Sequence, residues 1–436
     1  MIEKYYSGVI EQIYNRIGKE TRNIVMANYS NDFSIENLEV IRRYQSNEDN
    51  VFFAYSEFSY NTLIGAYEPF LDIICNMHRR FIGGSFDDFQ KECGVYYLHR
   101  QVLNSYYETG ECFREEMVLL NEVAYEQRRM TMAIADMLKR LSEVKPLMIV
   151  INRFQMASKS SIETIKYLID NPCANIGIVL GVNALVKGAD STLEVWDSIV
   201  ESLEDRSAVY YIGSAGQLKN TVKTTNDDEM YITMNFEQSI QEASNIMEFL
   251  DFEQAKRGCR IIEHKLKFED AWIDEKSLRR FYMVYARTSV LLGEMSKAIE
   301  LTNEFKALIP ENDSEHYLSL YYFMKATCYM YQGKLEKAGN SAKSAYDYAV
   351  LAEDDILIFK AELLSVMIKM SGWYNIFFCV QDIPVSDEII EKLIKHGYRN
   401  YLAHIYIYAY DNSRDVVKQS FYDESLLKHF TKGLEL

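Results

Sequence analysis

Several side chains in this sequence are of types that do chemistry, and their spacing says which chemistry is open to them. Cys75 and His78 stand three apart in a stretch of helical pattern and could supply two metal ligands. No second pair lies near them in sequence, so the expectation is a core cysteine beside an edge histidine. Glu111, Glu115 and Glu116 offer the carboxylates of an acid–base set, yet acidic residues that open a long helix usually form its solvated first turn and suit its dipole. Gly83-Gly84 follows a helical pattern rather than a strand, which gives a loop hinge instead of a phosphate cradle. Cys173 follows Pro172 in a turn without a sequence-local histidine to activate it, and no catalysis is assigned to it. Tyr317, Tyr321, Tyr322, Tyr329 and Tyr331 provide contact area with a hydrogen-bonding tip, suited to a peptide groove or to packing between helices. Tyr322 lies off the stripe of Tyr317, Tyr321, Met324, Cys328 and Tyr331, which makes it the candidate partner contact.

The elements that would position these groups fall into two blocks. Tyr6, Val9, Ile10, Ile13, Tyr14 and Ile17 recur at helical spacing and stop at Gly18. Apolar runs at 23–27, 51–55, 147–151, 176–180 and 208–212 read as strands, separated by helical patterns that include a long one from Phe113 to Leu141 and another from Leu193 to Leu203. Leu147-Met148-Ile149-Val150-Ile151 is apolar throughout, as a strand buried on both faces must be. Alternating strands and helices predict a parallel, doubly covered α/β sheet over residues 1–232.

From about residue 236 the strand patterns nearly vanish. Segments beginning at Leu250, Gly293, Gly333 and Gly372 can be stacked in register, giving a helix–turn–helix repeat of roughly 40 residues, longer than the 34 of a tetratricopeptide unit. Ala338, Ala342, Ala345 and Ala349 form a small-residue stripe that lets helices approach closely. Residues 236–436 are therefore expected to form an all-α, tetratricopeptide-like solenoid. The last hairpin, near His429 to Leu436, lacks a polar cap, so the array is expected to continue beyond this chain.

Composition bounds the function. A chain of 436 residues needs two or three cores, and a net charge of −17 with no basic cluster opposes direct nucleic-acid binding. Seven scattered cysteines without CxxC spacing fit a reducing cytoplasm better than a disulfide framework, and neither an export signal nor a membrane span is expected.

The stretch from Pro146 to Ser161 resembles the Walker B strand of the STAND class of P-loop regulators, particularly the ATP-dependent transcription activators typified by the maltose-regulon activator. Phe154, Gln155, Ala157 and Ser161 carry that likeness, and the order of an NTPase module before a helical-repeat sensor extends it to most of the chain. The resemblance implies two acids for Mg2+ and water at the strand end, where this chain has Asn152 and Arg153. It also implies a phosphate loop after the first strand. There Asn28, Tyr29, Ser30, Asn31, Asp32, Phe33 and Ser34 put Asp and Phe in place of Gly and Lys, and only Ser34 fits. A carboxylate ~4 Å from a phosphate oxygen costs about 4 kcal/mol at an effective dielectric near 20.

The expected protein is thus a degenerate P-loop NTPase-like domain with no cofactor and no ATPase activity, followed by repeats that bind a protein or peptide. It would serve as a regulator or scaffold in intracellular signalling or transcriptional control. The alternatives are a slow ATP-binding switch, with backbone N–H groups after Asn31 holding a phosphate weakly, and a structural adaptor without a ligand.

Overall fold

Ile24–Tyr29 (β1), Phe52–Glu57 (β2), Leu147–Asn152 (β3) and Ile176–Asn183 (β4) realise four of the apolar runs as strands, each extended by a residue or more at its C-terminal end. The computed structural model describes residues 2–29, 38–46, 50–58, 63–114, 120, 122–183, 186–187, 209–211, 223–224, 235–268, 273–312, 314–375 and 387–396. These belong to two compact units, Met1–Trp272 and Ile273–Leu436.

With Val209–Tyr211 (β6) the strands form a parallel sheet in the order β2-β3-β4-β1-β6. Val186–Lys187 (β5) and Lys223–Thr224 (β7) make a separate two-stranded parallel pair. Every residue of β3 is buried. Val25, Ala27, Phe53, Met148, Val150 and Val179 face Ile2–Arg16 (α1) and Glu39–Ser46 (α2) in one cluster, while Ile149, Ile151, Ile178 and Leu180, of opposite parity, are also buried. Both faces are therefore covered, which explains the unbroken apolar run of β3. The α1 stripe lies directly on β4: a Cβ at Gly177 would fall 2.8 Å from Ile17 Cδ1, and one at Gly181 would fall 2.9 Å from Tyr6 Oη. Close approach of α1 requires glycine at both positions.

Phe70–Met77 (α3) runs into a π-helical turn, His78–Ile82, which ends at Gly83-Gly84. Both glycines have positive φ, and Ser85 then caps Phe86–Glu92 (α4). Tyr97–Thr109 (α5), Val123–Val144 (α6) and Lys159–Asp170 (α7) complete the α/β portion. The helix expected from Phe113 starts only at Val123. Residues 111–114 instead form a non-helical strap, because Cys112 N–H donates to Asn245 Oδ1 (2.9 Å) and Arg114 donates to the carbonyl of Glu248 (2.7 Å). Partners more than a hundred residues away outweigh local helix propensity here.

Those partners lie on Phe236–Glu248 (α8), which pairs with Phe252–Phe268 (α9). The expected repeat region begins at residue 236, but this hairpin falls within the first compact unit.

In the second unit, Glu275–Leu291 (α10), Met295–Ala307 (α11), Ser314–Tyr331 (α12), Leu335–Leu351 (α13) and Asp355–Asn375 (α14) follow one another through short turns, and Asp387–His396 (α15) is tied to α14 by Lys392 and Glu362 at 2.8 Å. Three of the turns repeat one geometry. Gly293, Gly333 and Glu353 take positive φ, each N–H returns to the carbonyl three residues back, and the next N–H returns to the carbonyl five back. Leu250, between α8 and α9, does the same. The turn expected at Gly372 is absent: α14 runs through it to Asn375, since the residues ahead of it hold a helical pattern and no left-handed residue interrupts them. Ala338, Ala342, Ala345 and Ala349 are wholly buried, and two of them share a cluster with Ala326 and Met330 of α12 and Leu364 and Ile368 of α14. The alanine stripe is the seam on which α13 meets both neighbours.

Candidate functional site

Parallel strands bring their C-terminal ends to one edge of the sheet. The chain leaves β1 toward β2 at one end of the sheet and leaves β4 toward β6 at the other, and such a reversal is where open α/β sheets form a ligand crevice. Asn152 closes β3 at this edge. It is buried, and its Oδ1 lies 2.7 Å from where a Gly181 Cβ would stand, so it packs tightly on β4. Arg153 follows in a left-handed conformation (φ 56).

That conformation costs an L-residue roughly 1–2 kcal/mol. Two contacts offset it: Arg153 Nη1 lies 3.2 Å from Glu57 Oε1 and donates to the carbonyl of Phe58 at 3.3 Å. Glu57 ends β2 in register with Asn152, and the Tyr55 hydroxyl donates to its other oxygen. Both charged side chains are largely covered, with 20% and 16% of their surface exposed, so the pair is only weakly screened. The edge therefore carries a neutral amide and a closed ion pair.

The residues that carry the likeness to a Walker B segment are all interior. Phe154, Gln155, Ala157 and Ser161 are buried. Ser158 Oγ contacts Ser160 Oγ and Ser161 Oγ, both at 3.0 Å, Ser161 Oγ donates to the carbonyl of Glu68, and Ser160 Oγ accepts from Tyr67 N–H. Asp251, in the α8–α9 turn, accepts from Ser160 N–H at 3.0 Å. This network joins α7, the segment before α3 and the hairpin. Of the phosphate-loop positions, Asn28 and Tyr29 extend β1 beside Val182 and Asn183, and Ser30, Asn31, Asp32, Phe33 and Ser34 lie outside the described residues.

The other candidates are dispersed. His78 is buried rather than at an edge: its Nδ1 lies 3.1 Å from Tyr107 Oη, among the rings of Phe86, Phe89 and Tyr107. Burial pushes the Cys75 thiol up to about 12, away from the thiolate that metals and nucleophilic chemistry require. Among the described residues no group of three or more His, Cys, Asp or Glu side chains is placed to hold a metal. Glu111 is exposed, and Glu115 and Glu116 lie outside the described residues. Cys173 Sγ contacts Ser142 Oγ at 3.6 Å. Tyr322 is half-buried and stacks on Tyr348 of α13, with centroids 5.6 Å apart. No described helix is long and apolar enough to cross a membrane.

Glu57 and Tyr55 escape sequence reasoning, because nothing local relates β2 to Arg153. Only the pairing of β2 with β3 does, and a predicted strand order with Glu57 at the strand end would have been the signal. No protein-family model matches this chain, and no curated protein matches it significantly.

Proposed function

We propose that this chain is a non-catalytic regulatory or scaffold protein of the cytoplasm. In this reading a P-loop-type α/β domain has lost its ATPase chemistry, and tetratricopeptide-like helical repeats bind a protein or peptide partner. The observation that carries it is the closed Arg153–Glu57 pair at the end of β3, at the position where the STAND resemblance puts acids for Mg2+ and water. A guanidinium there repels a divalent cation, and the Glu57 carboxylate beside it is already paired. The parallel order β2-β3-β4-β1-β6, with the ends of β1 and β3 on one edge, supports descent from a nucleotide-binding layout.

The partner role rests on the regular hairpins of the second unit and on Tyr322, whose ring rests on Tyr348 and retains surface for contact. Isothermal titration of the chain with ATP and Mg2+ tests the first half of the proposal. No binding tighter than about millimolar is expected. A micromolar, Mg2+-dependent constant would overturn it in favour of a slow ATP-binding switch.

A further inference from the structure

The α8–α9 hairpin meets the rest of its compact unit through two kinds of contact. One kind is fully paired. Asn245 accepts from Cys112 N–H and donates to the Gly110 carbonyl, Asp251 accepts from Ser160 N–H, and Gln254 donates to the Ile64 carbonyl. The other kind is a cavity of about 260 Å3 between α8, the segment before α3, and the helices α3 and α5. Its walls include Leu71 and Phe249, and Glu242 reaches it from α8.

Glu242 and Glu68 converge on Gly65. A Cβ there would lie 2.9 Å from Glu242 Oε1 and 3.4 Å from Glu68 Oε2, so even a methyl group would push the two apart. Glu68 Oε2 accepts from Gly65 N–H at 2.8 Å. The charged groups that act on Glu242 are themselves carboxylates, Glu68 and Asp72. Asp72 faces it from α3, with its Oδ1 taken by the Tyr106 hydroxyl of α5 at 3.0 Å, and Cys75 lies behind. Cys112 approaches from the strap, while Arg114 beside it is committed to Glu248. Helix α9 meets α8 at Gly258, where an added Cβ would lie 3.5 Å from Ala243 Cβ. Among the described residues no lysine, arginine or histidine forms an ion pair with Glu242, Glu68 or Asp72.

We propose that docking of this hairpin is proton-linked: the Glu242 carboxyl is neutral when α8 closes against Gly65 and Glu68, and its ionisation loosens the hairpin. Burial, followed by the charges of Glu68 and then Asp72, raises Glu242 to about 7, and burial also raises Glu68. The docked state holds a proton that the open state releases above the ordinary carboxylate range. Docking is therefore strongest below about pH 4.5, weakens as pH rises through about 7, and is constant beyond.

Hydrogen exchange of the full chain across pH 5 to 8.5, corrected for intrinsic exchange, tests this on the α8 amides. In the wild type their opening should increase up to about tenfold per pH unit to near pH 7 and then level off. Glu242→Gln should remove most of the slope approaching pH 7. The remainder belongs to Glu68 and to Asp251 of the hairpin turn, which burial also raises. Glu237→Gln, exposed on the same helix, should keep the slope in full. A flat wild-type profile, or one unchanged in Glu242→Gln, overturns the proposal. Should Glu242→Gln not fold, the NMR titration of the wild-type Glu242 carboxyl decides. A midpoint near 7 supports the linkage, and one near 4.5 refutes it.

Discussion

Between Met1 and Trp272 the contacts that set the architecture join residues far apart in sequence. Ser160 and Asp251 are 91 positions apart, Cys112 and Asn245 are 133 apart, and Ile64 and Gln254 are 190 apart. From Ile273 onward the pattern is local: turns that repeat one hydrogen-bond geometry and an alanine seam whose members are three or four residues apart. The turn residue itself shows the difference. Gly293 and Gly333 take the left-handed position freely, whereas Leu250 occupies it with its side chain 2% exposed. Burying a leucine is worth roughly 2–3 kcal/mol, enough to offset the ~1–2 kcal/mol of a left-handed residue. At Gly293 and Gly333 backbone freedom accounts for the turn residue, and at Leu250 packing does.

Breaking the non-local region at its charged edge should have the largest effect. Arg153→Glu sets a second carboxylate against Glu57 in a weakly screened place and should cost about 3 kcal/mol, read from urea unfolding of the full chain. Adding Glu57→Arg should recover part of this loss. If the double variant is no more stable than the single one, the pair is not what holds this edge.

The local region should yield to overpacking. Ala342→Leu drives a large side chain into a wholly buried seam and should lower stability by roughly 1–3 kcal/mol, with the loss of helical signal centred on the second unit. A thermal melt indistinguishable from wild type would mean that α13 does not pack on this face.

The smallest effects sharpen the comparison at the turns. Gly333→Ala imposes a Cβ on a residue at φ 71 with nothing within 4 Å, so it should lose only the backbone term of about 1 kcal/mol. Glu353→Gly, exposed at φ 53, should gain up to about 1 kcal/mol for the same reason. Equal and opposite shifts in Tm would show that these turns are governed by backbone conformation. Two losses would show that the Glu353 side chain contributes a contact.

Much of the architecture was legible in the chain. The α1 stripe, four strands and the alanine seam all follow from periodicity, because burial on one face leaves a repeat in the sequence. Other features left no such trace. The late start of α6 and the passage of α14 through Gly372 depend on partners or on continuity that local pattern does not encode. His78 reads as an edge residue by spacing, and aromatic rings from α4 and α5 bury it. For the candidate site, Asn152 and Arg153 at the end of β3 were visible in the sequence, but their neighbour Glu57 was not.

The amino-acid sequence by itself determined the strands β1 to β4, the α1 stripe, the alanine seam and the residues that end β3, since propensity, periodicity and residue identity are local properties. Tertiary structure alone decided that β2 lies beside β3, so that Arg153 finds Glu57, and that residues 236–268 attach to the α/β core. Strand order and helix docking are chosen by the total burial and hydrogen bonding of surfaces distant in the chain, and no short window of sequence contains both sides of that choice.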